Sequence, residues 1–349
     1  MDKLQQTLNN IKRLNETAML KSRERVDNLN KPIGSLGKLE DIVVQLSGIT
    51  GNIYPKADKK SVIVMAADHG VCEEGVAAAS QNITLMQTIN MANGITGVCA
   101  LSKVSNADVV VVDIAVKEDI DHFNILNKKI AYGSNNIAKG PAMTRIEAIR
   151  SLEVGIEIAE REVKKGKNIL ATGEMGIGNT TPSSAILSVI TGLDPLEVTG
   201  VGGNLPLELL DNKANVIRKS IEVNKPDKSD PVDLLSKIGG YDIGGMAGVI
   251  IGAASCGVPV IVDGFISTVS AIIATMLEPK IKHYIIPSHS SKEKASKLAS
   301  DYLGLQPMLN LNMRLGEGSG AVLGFCIVEA ATDMNSIMVT FEDSGVMAI

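Results

Sequence analysis

The sequence predicts an α/β protein whose parallel sheet is covered by helices on both faces, and three observations lead there. Short apolar runs rich in β-branched residues alternate with longer runs of helical spacing from Ser61 to Pro287, the pattern of strand–helix–strand units. The runs SVIVMAA at 61–67 and DVVVVDIAV at 108–116 are apolar nearly throughout, as strands buried on both faces must be. Polar residues stand just beyond the strands, as in Asp68-His69-Gly70, Asp263-Gly264 and Ser288-His289-Ser290-Ser291; in an open α/β sheet such positions face the ligand crevice.

Taken in order, Leu4, Leu8, Ile11 and Leu14 recur at helical spacing, and the charged run KSRERVDNL continues as a solvated helix. Lys31 to Glu40, KPIGSLGKLE, forms a fixed turn that packs or binds something, with Ser35 capping a helix that runs to Gly48. After Asp68-His69 comes a small, polar stretch, VCEEGVAAASQNI, suited to a substrate loop. Thr84 to Leu101 then reads as one helix carrying Met86, Gln87 and Met91. The loop YGSNNIAKGPAM lies over the crevice, and Thr144 to Lys165 is a long amphipathic helix. Gly200 to Asn204 is a flexible turn before a helix with Lys213 and Arg218, GGYDIGG at 239–245 opens another helix, and strands follow at 258–262 and 283–287. An apolar helix spans Ala321 to Ala331, and SIMVTF at 336–341 reads as a short strand in the tail.

Composition limits function. With 349 residues, 45% hydrophobic and 21% charged, the chain can bury one large core or two unequal ones. A formal net charge of −5 and scattered lysines exclude the basic footprint of a nucleic-acid binder. Cys72, Cys99, Cys256 and Cys326 form no C-x-x-C pair, which fits reduced thiols in the cytoplasm, and the polar N-terminus lacks the apolar core of an export signal. Met246 to Leu277 contains one charge, Asp263, yet Gly257, Pro259 and Gly264 divide it into helix, buried strand and helix rather than a membrane span.

Asn168 to Ser184, NILATGEMGIGNTTPSS, is the stretch richest in chemistry. A strand at Ile169 to Ala171 passes into a loop with Gly173, Gly176 and Gly178, then a helix capped by Thr180 or Thr181 with Pro182 in its first turn. Backbone N–H groups and the helix dipole converge on one spot, which suits a phosphate; the bland reading is an ordinary strand-to-helix turn. No lysine follows as in the triphosphate motif, so a monophosphate fits better. Near the end, Glu317 stands between Gly316 and Gly318, where a ligand can approach closely, and it reads either as a site carboxylate or as an N-terminal helix charge.

Six motifs, KPIGSLGKLE, AADHGV, TGEMGIGNTTPSSA, GVGG, DGFIST and MRLGEGSGA, stand in this order over nearly the whole chain. Together they resemble the nicotinate-nucleotide–dimethylbenzimidazole phosphoribosyltransferase family, which helps build the lower ligand of cobalamin. The resemblance implies a Rossmann-like three-layer fold at 56–310, a smaller helical part from 1–55 and 311–349 with 313–320 reaching the active site, and a homodimer. It implies transfer of phosphoribose from nicotinate mononucleotide to 5,6-dimethylbenzimidazole, releasing nicotinate and giving α-ribazole 5′-phosphate. Nicotinate leaves neutral at its nitrogen and needs no general acid, while the incoming azole must lose a proton to a base. No diphosphate is transferred, so no cofactor or metal is expected.

By position, the resemblance makes Glu317 the general base and Glu174 a second carboxylate in the glycine loop. Gly176, Ile177, Gly178, Asn179, Thr180, Gly202, Gly203 and Lys213 hold the phosphate and ribose, and Ser291 corresponds to a position reaching the site from the partner subunit. Ser80, Met86, Gln87 and Leu315 line the base pocket. The chain departs from the family pattern before Thr84, where it reads AAASQNI, and after Ser288-His289, where it reads Glu293-Lys294-Ala295-Ser296. Another azole, a purine or a phenol therefore stands as an alternative acceptor. A nucleotide-binding regulator without turnover is the reading from another class, and Glu317 beside Leu315 speaks against it, because a sensor needs no base aimed at the ribose. A Rossmann oxidoreductase fails on the missing G-x-G-x-x-G after the first strand.

Overall fold

The computed structural model describes residues 3–345; residues 1–2 and the end of the tail, 346–349, lie outside the described residues. Among the described residues six strands form one sheet, β1 (Lys60–Ala67), β2 (Ala107–Ala115), β3 (Ile125–Asn127), β4 (Ile169–Met175), β5 (Val260–Val262) and β6 (Ile285–Pro287), in the order β3-β2-β1-β4-β5-β6. Every neighbouring pair is parallel. The chain winds outward from β1 through β2 to β3, then returns to the other side of β1 with β4. The order reverses at the β1–β4 seam, the place where an α/β sheet opens a crevice at its carboxyl edge.

The unbroken apolar character of the strands has the expected cause. Side chains alternate across a strand, and in β1 Ile63, Met65 and Ala67 enter one core while Val62, Val64 and Ala66 enter the other. The first core is covered by the helices Arg145–Lys164, Thr180–Thr191, Tyr241–Ser255 and Phe265–Leu277, the second by Lys38–Thr50, Gly97–Ser105 and Ser319–Ile337. Tyr241–Ser255 lies directly on Arg145–Lys164, so close that a Cβ on Gly155 would stand 2.0 Å from the Gly245 carbonyl oxygen. The apolar 246–277 segment is helix, strand β5 and helix, with no helix among the described residues long and apolar enough to cross a membrane.

The two chain ends meet on the second face. Asn30 donates its N–H to the Val339 carbonyl at 2.9 Å, Leu29 bridges Thr340, and the Arg25 guanidinium donates to the carbonyls of Asn335 and Met338.

Several local expectations are corrected. The N-terminal run is two helices, Lys3–Asn9 and Glu16–Asn28. Thr84 to Leu101 is also two, Asn82–Ala92 and Gly97–Ser105, because Gly94 turns into the left-handed region at φ 76°. Ser35 does not cap: the helix Lys38–Thr50 begins after Gly37 with no side-chain cap, and Glu40 instead accepts the Leu36 N–H at 2.9 Å and pairs with Lys31 at 2.8 Å. SIMVTF is not a strand, since the preceding helix runs on to Ile337 and Thr340 makes only the single bridge to Leu29.

Candidate active site

A cavity of about 260 Å³ opens at the carboxyl edge of the sheet, lined by the residues that follow β4 (Gly176 to Thr180), β5 (Asp263 to Ser267) and β6 (His289, Ser291). Gly202, Gly203 and Lys213 line it as well, together with Ala77 to Ala79, Ile83 and Gln87, and with Arg314 to Glu317.

On the polar side, the glycine loop runs into the helix Thr180–Thr191, so a helix N-terminus faces the cavity. Neither Thr180 nor Thr181 caps it. Asn179 occupies the cap position without a side-chain cap bond, since its amide is used elsewhere; Thr180 Oγ1 accepts from Lys213 Nζ at 2.7 Å, and Thr181 Oγ1 is buried without a partner. Lys213 also donates to the Gly200 carbonyl at 3.1 Å. Burial pulls the Lys213 ammonium down to about 8, against the attraction of Glu293. A buried cation beside a helix N-terminus is a ready anion site.

Two carboxyl groups, those of Glu174 and Glu317, line the cavity side by side. Glu174 is the penultimate residue of β4, not part of the loop, because the strand pairs with β1 as far as Met175. Its side chain accepts from the Asn179 amide through Oε2 and from the Glu317 backbone N–H through Oε1 at 3.3 Å. Burial pushes this carboxyl up to about 8, with Asp242 and Asp263 adding to the push and the two N–H donors opposing it. Glu174 is therefore mainly neutral at pH 7.

Glu317 sits at φ 63° between Gly316 at 84° and Gly318 at 90°, three consecutive residues in the left-handed region. A non-glycine residue there costs about 1 kcal/mol or more, a strain that persists only where the surroundings hold it. Three groups do so. Asp263 accepts the N–H groups of Gly318, Gly320 and Ala321 at 3.2, 2.8 and 3.0 Å, which fixes the start of the helix Ser319–Ile337. The Glu317 carbonyl lies over Gly173, where a Cβ would stand 2.5 Å from the oxygen. The carboxylate accepts the Val98 N–H at 3.1 Å, at the N-terminus of the helix Gly97–Ser105. Burial raises this carboxyl above the ordinary range, while the N–H groups of Val98 and Gly97 and the Thr96 hydroxyl hold it down. Compared with Glu174 it is the one better placed to ionise and take a proton.

Beneath the glycine loop lies a further buried pair, His69 and Asp242, with Nε2 3.1 Å from Oδ1. Burial opposes a charged His69, but Asp242, helped by Asp68, holds it above the ordinary imidazole range. Asp242 Oδ2 accepts from the same Asn179 amide that reaches Glu174, at 3.1 Å. His69, Asp242, Asn179, Glu174 and the Glu317 backbone thus form one connected network.

Comparison with known proteins agrees with this geometry. A family profile described as phosphoribosyltransferase matches residues 11–346. A nicotinate-nucleotide–dimethylbenzimidazole phosphoribosyltransferase of Alkaliphilus metalliredigens (strain QYMF) is 55% identical over 347 residues, 99% of both chains. One of Clostridioides difficile (strain 630) is 51% identical over 343 residues, 98% of this chain and 99% of that one. The chain belongs to the nicotinate-nucleotide–dimethylbenzimidazole phosphoribosyltransferase family. The crystal structure of a member from Thermus thermophilus superimposes with a TM-score of 0.91 at 33% identity, covering 96% of this chain and 100% of that one.

Against the family pattern, Glu174, Gly176, Ile177, Gly178, Asn179, Thr180, Gly202, Gly203, Lys213, Gln87, Leu315 and Glu317 all line the one cavity. Ser291 lines it too, from the same chain. Ser80 and Met86 do not: Ser80 lies exposed in the loop and Met86, 54% exposed, points to the surface, because the helix Asn82–Ala92 turns Ile83 and Gln87, four residues apart, toward the cavity. The Ile177 N–H is already held by Thr84 Oγ1 at 3.1 Å, which leaves it no free donor for a ligand. Sequence reasoning did not assign Asp263 its grip on the Glu317 turn, nor the Gly97–Val98 helix start, since both depend on contacts between distant segments. Among the described residues no group of three His, Cys, Asp or Glu side chains is placed to hold a metal ion.

Proposed function

We propose that the chain transfers phosphoribose from nicotinate mononucleotide to 5,6-dimethylbenzimidazole or a related base, giving α-ribazole 5′-phosphate and nicotinate for the cobalamin lower ligand. The observation that carries the reading is one cavity lined together by a helix N-terminus, buried Lys213 and Glu317. In this reading Lys213, Gly202, Gly203 and the loop residues Gly176, Gly178, Asn179 and Thr180 hold the 5′-phosphate and ribose. The azole stacks among Ile83, Gln87 and Leu315, and Glu317 takes its N–H proton as the ring nitrogen attacks the anomeric carbon from the face opposite nicotinate. The C–N bond to nicotinate breaks as the new C–N bond forms, and nicotinate keeps the bonding pair, becoming neutral at nitrogen. Neutral Glu174 faces the ribose as a hydrogen-bond donor, and the negative field of Glu317 and Asp263 favours the oxocarbenium character of the sugar.

The same proposal includes a cytoplasmic homodimer, with residues 56–310 as the catalytic body and 1–55 with 311–349 as the helical part that carries Glu317. The test is incubation of the pure protein with nicotinate mononucleotide and dimethylbenzimidazole, followed by chromatography. Release of nicotinate with formation of α-ribazole 5′-phosphate is expected. Absence of product with every azole, purine and phenol offered would reject the transferase reading, and a competition among those acceptors ranks them.

A further inference from the structure

The phosphate end of the cavity already contains an anion of the protein's own. Glu293 is 7% exposed and lines the cavity. Its two carboxylate oxygens accept the Gly202 N–H at 3.3 and 3.2 Å. Its own N–H is held by Ser291 Oγ at 3.3 Å, which fixes the turn that carries it. Glu293 also attracts the Lys213 ammonium, whose protons are given to Thr180 Oγ1 and the Gly200 carbonyl. Two of the donors assigned to a 5′-phosphate, the Gly202 N–H and the Lys213 ammonium, are therefore engaged internally. A carboxylate on a backbone N–H beside an ammonium presents the same charge-assisted contacts that a phosphate oxygen makes, and two anions cannot share one N–H at contact distance.

We propose that Glu293 is a built-in competitor for the 5′-phosphate cradle, holding the Gly202 N–H in the free protein and leaving it when the nucleotide phosphate arrives. This rests on the phosphate placement proposed above. Nicotinate mononucleotide and α-ribazole 5′-phosphate carry the same phosphate, so the competitor weakens both alike and returns to the cradle as product departs. Its effect is on uniform binding and not on the chemical step. The opposed role, a strut that only keeps the Gly200 to Gly202 turn in shape, gives the opposite sign: removing the carboxylate would then weaken anion binding.

The experiment measures inhibition by inorganic phosphate against nicotinate mononucleotide in the full chain, the E293Q variant and the E293D variant, with a melting curve for each. In E293Q the phosphate inhibition constant and the nucleotide KM both fall about tenfold, as loss of a neighbouring like charge dictates, while kcat does not rise; E293D, which keeps the charge, stays near the parent. An E293Q variant that melts normally with either constant unchanged or raised overturns the proposal. Should E293Q not fold, the parent protein with bound phosphate decides: a Glu293 carboxylate displaced from Gly202 N–H supports it, and one still in place beside the phosphate overturns it. Phosphate that does not compete with the nucleotide in the parent protein removes the cradle placement and this proposal with it, a result distinguishable because it precedes any variant.

Discussion

Glu174 Oε1 accepts the backbone N–H of Glu317 at 3.3 Å, so the two carboxyl groups of the cavity are tied together although 143 residues separate them in sequence. The tie sorts their roles. Glu174, inside the sheet and close to Asp242 and Asp263, holds its proton up to about 8, whereas the Glu317 carboxylate rests on the N-terminus of the helix Gly97–Ser105. Environments that push two carboxyls apart separate acid from base.

Glu317→Gln preserves the shape and the Val98 contact but cannot accept the azole proton. Turnover should fall at least about 100-fold while the nucleotide KM stays nearly constant. In the parent protein, protonation of Glu317 should cut kcat on the acid side at a pH above the ordinary carboxylate range, as burial raises this group. Steady-state rates from pH 5 upward check both; an acid limb that survives in the Gln variant would assign it to another group.

Glu174→Gln tests the neutral carboxyl through stability. The unfolded group ionises near 4.5 and the folded one near 8. Between these values the unfolded chain binds fewer protons, so the parent loses stability as pH rises, by up to about 1.4 kcal/mol per unit. Glutamine has nothing to ionise. The difference in urea midpoint between variant and parent should therefore move in favour of the variant from pH 5 to pH 8 and level off above it. A difference independent of pH would show that Glu174 is ionised when folded.

Much of this arrangement is legible in the sequence, for reasons that differ by element. Strands β1 and β2 read correctly because burial on both faces leaves an unbroken apolar run, and the glycine loop reads as a ligand turn because glycine and a helix start are local signals. Glu174 misreads as a loop residue, since a carboxylate at a strand end is polar in sequence while the ladder to Met65 is a long-range contact. The base pocket misreads at Met86 for a related reason: which face of a short helix turns inward depends on the break at Gly94 and on packing against the sheet. Asp263 reads only as a strand-end acid, because the three N–H groups it accepts lie more than fifty residues away.

That grip makes a prediction of its own. Asp263→Asn keeps one oxygen but turns an NH2 group against N–H donors of the Glu317 turn, leaving buried donors unpaired at a cost of about 1–3 kcal/mol. The urea midpoint should drop accordingly. Released from its strained φ of 63°, Glu317 should also lose alignment, so kcat should fall while binding of inorganic phosphate at Lys213 and Gly202 stays unchanged. Equal loss of phosphate binding would mean that the whole crevice, and not the turn alone, depends on Asp263.

Lys213 links the cradle to pH. Burial lowers its ammonium to about 8 in the free protein, so the cation that meets the phosphate is lost as pH rises past that value. Bound phosphate restores it by attraction. The loss should therefore appear in kcat/KM, which reports the free enzyme, and not in kcat. Nicotinate mononucleotide KM should climb above about pH 8 in the parent, and Lys213→Met should show a KM raised about 10- to 100-fold with no such climb. Glu174 titrates in the same range, so the two must be separated. Glu174→Gln should keep the climb in KM if Lys213 causes it; a flat KM in that variant would transfer the dependence to Glu174 and leave Lys213 charged throughout.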